Sequence, residues 1–144
     1  MQNAARALKL DLHVLQASSD REVEDAIAKL AQMRIGGLVV SPDPYYINRG
    51  AQIAALTVRH AVVAVFHSRE FAVAGGLLSY GGSVAESHRQ AGIYTGRILK
   101  GDKPADLPIQ QVTKVEFVIN MKTAKTLGLN VPLTLLGRAD EVIE

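Results

Sequence analysis

The chain has 144 residues, 48% of them apolar and 21% charged, with a formal net charge of +2. That balance excludes a disordered chain, which combines low hydrophobicity with high net charge, and the length fits one domain of roughly 150 residues with a real core. Lys and Arg form no cluster interleaved with aromatics, which argues against dedicated nucleic-acid binding; no apolar run reaches the roughly 18 residues of a membrane span; and the absence of cysteine excludes disulfides, thiolate metal sites and a cysteine nucleophile.

Residues 1–10 (MQNAARALKL) lack the apolar core of a signal peptide, so the chain as written is expected to carry no export signal. Residues 10–17 (LDLHVLQA) read as a largely apolar strand. Ser19 with Glu22 fits an S-x-x-E capping box, in which each side chain satisfies the other's free backbone N–H. It opens a helix expected to reach about Arg34, with Val23, Ile27, Leu30 and Ala31 on one face. Gly36 and Gly37 are expected to stop that helix. Residues 38–41 (LVVS) read as a strand buried on both faces. Asp43 is placed to cap a second helix, with Pro44 at the first position, where a missing N–H costs nothing. That helix is expected to run from Tyr45 to His60.

Residues 61–66 (AVVAVF) read as a third buried strand, 68–71 as one helical turn and 76–80 as a further strand. Ser83 with Glu86 forms a second capping box, for a long helix over 84–100. Gly92 and Gly96 each cost that helix about 1 kcal/mol of propensity, which implies close approach to a neighbouring element. Gly101 and Pro104 end it. Residues 112–120 alternate as a half-exposed or edge strand, and Asn120 caps a short helix over 121–127. The tail (LLGRADEVIE) is expected to form a last helical turn. Strands joined through helices define an α/β fold, a mostly parallel sheet with helices on both faces.

In such sheets ligands sit outside the carboxyl ends of the strands. The loops there hold Ser41, Asp43, Tyr45, Tyr46, His67, Ser68, Arg69, Glu70, Tyr80 and Ser83. This mix of hydroxyls, carboxylates, an imidazole and aromatics suits a small polar or zwitterionic ligand. Asp43 could accept from an ammonium group, Tyr45 or Tyr80 could stack on a planar group, and the N–H groups near Ser83 could hold a carboxylate. Helix capping alone explains Asp43 and Ser83 equally well. Of the four histidines, His13, His60, His67 and His88, none forms an H-x-x-x-H or H-E-x-x-H pair, so no metal is expected. No G-x-S-x-G elbow, G-x-G-x-x-G or phosphate loop is present. Neither catalytic residues nor a cofactor are expected.

The segments SREFAVAGGLLSYG (68–81) and RILKGDKPADLPIQQVTKVEFVINMKTAKTLGLNVP (97–132), with the tail RADEVIE (138–144), resemble the carboxyl-terminal part of bacterial ABC-transporter substrate-binding proteins of the type I periplasmic fold. The resemblance runs across essentially the whole chain. It implies a two-lobed family in which ligand binds between lobes and passes to a membrane permease without catalysis. The ligand class implied is amino-acid-like or small organic. The implied site residues are Asp43 for a polar or ammonium contact, Tyr45 for stacking, and His67, Ser68 and Tyr80 for hydrogen bonds, with Ser41 on the same loop edge.

The resemblance also implies that 10–71 is the core of lobe two and that 76–100 normally packs on lobe one. Residues 112–144 then return as a strand, short helix and tail, all within a single α/β domain over 1–144. With lobe one absent, the helix over 84–100 exposes an apolar face, and a homodimer, with that helix exchanged between chains, is expected. Periplasmic placement follows from the resemblance; a cytoplasmic one follows if Met1 is the true start. Two other readings stand beside it: a cytoplasmic ligand-sensing module and a vestigial self-associating fragment.

Overall fold

The computed structural model describes residues 2–110 and 114–144. The first helix, α1 (Gln2–Ala7), precedes α2 (Asp20–Gln32) and the short strand β1 (Leu38–Val39). Two helices follow, α3 (Pro44–Ile47) and α4 (Gly50–Arg59), then β2 (Ala64–Phe66), α5 (Arg69–Val73) and β3 (Leu78–Gly82). The long α6 (Val84–Leu99) leads through a 3-10 turn at Pro104–Asp106 to β4 (Val115–Asn120). The chain closes with α7 (Met121–Thr126), α8 (Leu133–Leu136) and β5 (Glu141–Ile143). The strands form one sheet in the order β1-β2-β3-β4-β5, parallel except between β3 and β4. This is the mostly parallel α/β architecture the sequence implies.

Local chemistry explains most helix ends. The Ser19 hydroxyl accepts from the Glu22 N–H at 3.3 Å, and the Ser83 hydroxyl from the Glu86 N–H at 3.4 Å. Each expected box closes only on that side. Glu22 reaches one residue further back, to the N–H and hydroxyl of Ser18, while Glu86 turns to Arg89 and Gln90. Asp43 caps α3 and Asn120 caps α7 as expected. The stop after α2 differs: Arg34, not a glycine, takes the left-handed backbone at φ 52°. At the ends of α6 and α7 that conformation falls to Gly101 and Gly128, where no Cβ opposes it.

Several expected elements are corrected. Residues 10–17 form no strand, and Leu10, Leu12, Val14 and Leu15 lie exposed. The reason is physical: a strand is held by a ladder, and β1 pairs with β2 while nothing among the described residues pairs with 10–17. β1 is an edge strand with Val39 62% exposed, not a strand buried on both faces. The helix expected over 45–60 breaks at Asn48 and Arg49 into α3 and α4. The third strand starts only at Ala64, because Ala61 turns through positive φ. β3 lies two residues later than expected, at Leu78–Gly82.

The strand expected over 112–120 covers Val115–Asn120, and residues 112 and 113 lie outside the described residues. It is interior, between β3 and β5, rather than an edge. The helical turn expected in the tail lies earlier, as α8, and the last residues add β5 to the sheet. Asp140 makes this possible: its carboxylate accepts from the Phe117 N–H, and its own N–H donates to the Phe117 carbonyl, both at 2.8 Å. A Cβ at Gly92 or Gly96 meets nothing within 4 Å, so the close approach expected there is not made within the described residues.

The core joins α2 (Val23, Ile27, Leu30), α4 (Ile53, Ala54, Leu56), Val40, Val62, Ala64 and the aromatic pair Phe66 and Phe71. The two rings stack at 4.8 Å and 14°. Beyond them, Asn120 ties the sheet to α5 by donating from Nδ2 to the Ala72 carbonyl at 2.9 Å. Thr123 donates to the Gly75 carbonyl at the same distance. No helix among the described residues is long and apolar enough to cross a membrane.

Candidate functional site

The carboxyl ends of β1, β2 and β3 open on one edge of the sheet, because the three strands run parallel. The loop after β1 carries Ser41, Asp43 and Tyr45 to it. Asp43 spends one carboxylate oxygen on the Tyr45 N–H at 2.8 Å, so helix capping is one of its roles. Tyr45 is held from three elements. Its hydroxyl donates to Asp20 Oδ1 at 2.7 Å, and the Arg49 guanidinium lies 3.7 Å over its ring. Arg49 Nε in turn donates to the same Asp20 oxygen. The neighbouring Tyr46 donates to the Ala17 carbonyl at 2.9 Å and meets Tyr45 edge-on. These contacts fix the end of the unpaired segment 10–17 against the β1 loop.

His67 follows β2 directly. Its ring stands edge-on to Phe71 at 5.2 Å. Both imidazole nitrogens are shielded from solvent and neither has a hydrogen-bond partner among the described residues. Buried polar groups are nearly always paired, so such a group asks for an explanation. Ser68, 4% exposed, occupies the N-cap position of α5 without making the cap bond. On β3, Ser79 is buried with its hydroxyl also unpartnered, while Tyr80 is exposed and meets Phe117 edge-on at 6.0 Å. Tyr80, Val115, Phe117, Leu135 and Arg138 line an open cleft of about 730 Å³. A second cleft, of about 370 Å³, lies beside Ala17, Ser18, Glu22 and Tyr46.

Asp43 and Tyr45 are therefore in contact. The backbone of β3 beside Tyr80 comes close to that of His67, since a Cβ at Gly81 would overlap the His67 carbonyl. Ser41 is half-buried and Ser68 starts α5 beside His67. Sequence reasoning reached the loop ending at Asp20 but missed Arg49 and the contact between the two. It also missed the bidentate pair of Arg69 with Glu141, at 2.6 and 2.7 Å, which ties α5 to β5 beneath this edge.

Charge follows the same contacts. Hydrogen bonds from Arg49 and Tyr45 hold the Asp20 carboxyl below its ordinary range. Bonds from Ser18 do the same for Glu22, and Arg69 does so for Glu141. Arg89 holds Glu86 down at about 2. A carboxyl depressed in the folded state stabilises the fold above its unfolded pKa, and that stabilisation is lost as pH falls through the folded value. Thermal melts should therefore show a melting temperature that holds until about pH 4.5 and falls as pH drops further. A melting temperature that stays level down to about pH 2 would contradict this ionic account.

Solved structures define the class of fold. The chain superposes on a conserved domain protein from Vibrio cholerae with a TM-score of 0.87 at 20% identity, covering 98% of this chain and 47% of that one. It superposes on an ABC domain from Streptococcus pneumonia, solved in complex with L-Trp, with a TM-score of 0.85 at 22% identity, covering 98% and 49%. A ligand-free, open substrate-binding protein with adhesive properties from Clostridium difficile gives 0.67 at 17% identity, covering 99% and 47%. The chain thus has the fold of a substrate-binding domain and spans about half the length of these neighbours. Residues 1–143 match the family model of ABC transporter substrate binding proteins, and the chain belongs to that family. No curated protein matches it by sequence.

Proposed function

We propose that this chain is a solute-binding lobe that recognises a small organic or amino-acid-like ligand at the carboxyl edge of β1–β3, without catalysis. The observation that carries the reading is His67: both ring nitrogens are buried, without a partner among the described residues, at the strand end where ligands of such sheets bind. Ser41, Asp43, Tyr45, Ser68 and Tyr80 supply the remaining contacts. A ligand complex with L-Trp in a neighbour of the same fold supports the amino-acid-like class. Delivery to an ABC permease, in the periplasm, follows from the family.

The test is a thermal-shift panel of amino acids and small aromatic acids on the whole chain, with Asp43→Ala beside it. Binding raises the melting temperature by linkage. A rise for one class of ligand, reduced in Asp43→Ala, is expected. No shift with any ligand would favour the self-associating fragment instead.

The chain's partner in this reading includes a second copy of itself. None of the 16 residues of α6 is buried, Leu99 is 82% exposed, and Gly92 and Gly96 face open space. A helix of this length is held mainly by packing one face. A second chain laying its own α6 there supplies that packing, and light scattering at micromolar concentration should give the mass of a dimer. A monomer would overturn this part of the proposal.

A further inference from the structure

Arg49 is brought to the candidate site by contacts that are not local in sequence. It sits at the N-cap position of α4, where no side-chain cap bond forms, and it breaks the helix that 45–60 would otherwise make. Its backbone position alone does not explain its side-chain arrangement. Asp20, 29 residues away and the first residue of α2, takes the Nε hydrogen. The Tyr45 ring lies beneath the guanidinium, its centroid 3.7 Å from Arg49 Cζ. Nη1 reaches only the Tyr45 carbonyl, at a long 3.5 Å, and Nη2 makes no hydrogen bond among the described residues. The side chain is 32% exposed, so the unused edge is reachable from solvent.

Each contact removes a freedom. The ring beneath fixes the plane of the guanidinium, and the carboxylate at Nε fixes its rotation within that plane. What is left is a pair of terminal N–H groups presented in a fixed fork. A planar fork of this kind matches a carboxylate, which it binds through two parallel charge-assisted hydrogen bonds. Asp20 does not fill that role itself, because it engages Nε and not the terminal pair. The same arrangement changes what Tyr45 can do: a ring already under a cation is a poor partner for a second cation. An ammonium group therefore belongs at Asp43, whose second carboxylate oxygen is not used by the α3 cap.

We infer that Arg49 is the carboxylate-recognising residue of the ligand site, oriented by Asp20 and Tyr45, so that the site selects ligands bearing a free carboxylate over their neutral amides. This rests on the solute-binding reading above and names the ligand chemistry within it. Asp20 and Tyr45 are positioning residues in this scheme, acting through Arg49.

The experiment is calorimetric titration of the whole chain with paired probes, L-tryptophan against L-tryptophanamide and benzoate against benzamide. It is run on the native protein, on Arg49→Gln and on Arg49→Lys. Circular dichroism melts establish that each variant is folded, and Arg49→Lys, which keeps the charge and the long stem, covers a failure of Arg49→Gln to fold. The native chain should prefer the acid in at least one pair. Losing two charge-assisted bonds should weaken acid binding roughly tenfold or more in Arg49→Gln, leaving acid and amide nearly equal. Arg49→Lys should fall between the two, as a point charge without the fork. If the native chain binds a probe and Arg49→Gln keeps both its affinity and its acid preference, the assignment of Arg49 is overturned while solute binding stands. If the native chain binds no probe of either pair, the solute-binding reading fails for this ligand class, and the assignment falls with it.

Discussion

Replacing Gly81 with alanine is expected to lower stability by about 3 kcal/mol, at the upper end of overpacking costs, and the melting temperature by roughly 10 °C. The Cβ would overlap the carbonyl oxygen of His67, and its next nearest atoms are the His67 carbonyl carbon and Cα. These are backbone atoms at the end of β2, which cannot swing aside as a flexible side chain can. Relief must come from moving β3 against β2, and that ladder holds only two paired positions, Val65 with Leu78 and Phe66 with Ser79. The effect should reach the site as well, since the same movement displaces His67 and Tyr80. Thermal denaturation followed by circular dichroism measures it. A Gly81→Ala protein within about 0.5 kcal/mol of the native one, the range of ordinary surface changes, would mean that β2 and β3 do not approach as described.

The second large effect is expected at Phe71. Truncation to alanine should cost about 3–5 kcal/mol. The ring is 1% exposed, stacks on Phe66 and supports the edge of His67. Its position is fixed by the single turn of α5, so no neighbouring residue can slide into the vacated volume. Phe71→Leu should recover part of the loss by refilling that volume. Chemical denaturation of both variants gives the comparison, and a Phe71→Leu protein as stable as the native one would show that the ring stack contributes nothing particular. Because His67 leans on this ring, ligand affinity should fall in Phe71→Ala beyond what unfolding explains.

What could be read from the sequence and what could not divide along a physical line. The helix caps at Ser19, Asp43, Ser83 and Asn120 were legible because each depends on residues two or three positions apart. The apolar face of α2 was legible for the same reason: Val23, Ile27 and Leu30 are all buried. Strand identity depends on a neighbour that sequence does not name. Residues 10–17 have the composition of a strand but no ladder, whereas the short run at Glu141–Ile143 becomes a strand because Val118–Asn120 lies open beside it. The glycines of α6 imply a close-packing surface, yet nothing packs on them within the described residues.

At the site, the carboxyl ends of β1, β2 and β3 were legible from the α/β pattern; His67 lies on the loop after β2, while Tyr80, expected at a strand end, lies within β3. Arg49 was not legible. Its meaning comes from Asp20, 29 residues earlier, and from a helix break inside a segment whose periodicity reads as continuous. The signal available in sequence was weak: Asn48, Arg49 and Gly50 interrupt the apolar rhythm just after a proline-capped turn. The pairing of Arg69 with Glu141 was out of reach in the same way, being 72 residues apart.

The central claim is that a small solute binds at the carboxyl edge of β1–β3. The most direct measurement is a nitrogen-15 correlation spectrum of the whole chain, titrated with the ligand that gives the largest thermal shift. Perturbed amides should cluster at 41–49, 67–68 and 80–82, with the His67 ring resonances moving in step. Perturbations confined to α8 and β5, or none on the three loops at saturating ligand, would contradict it.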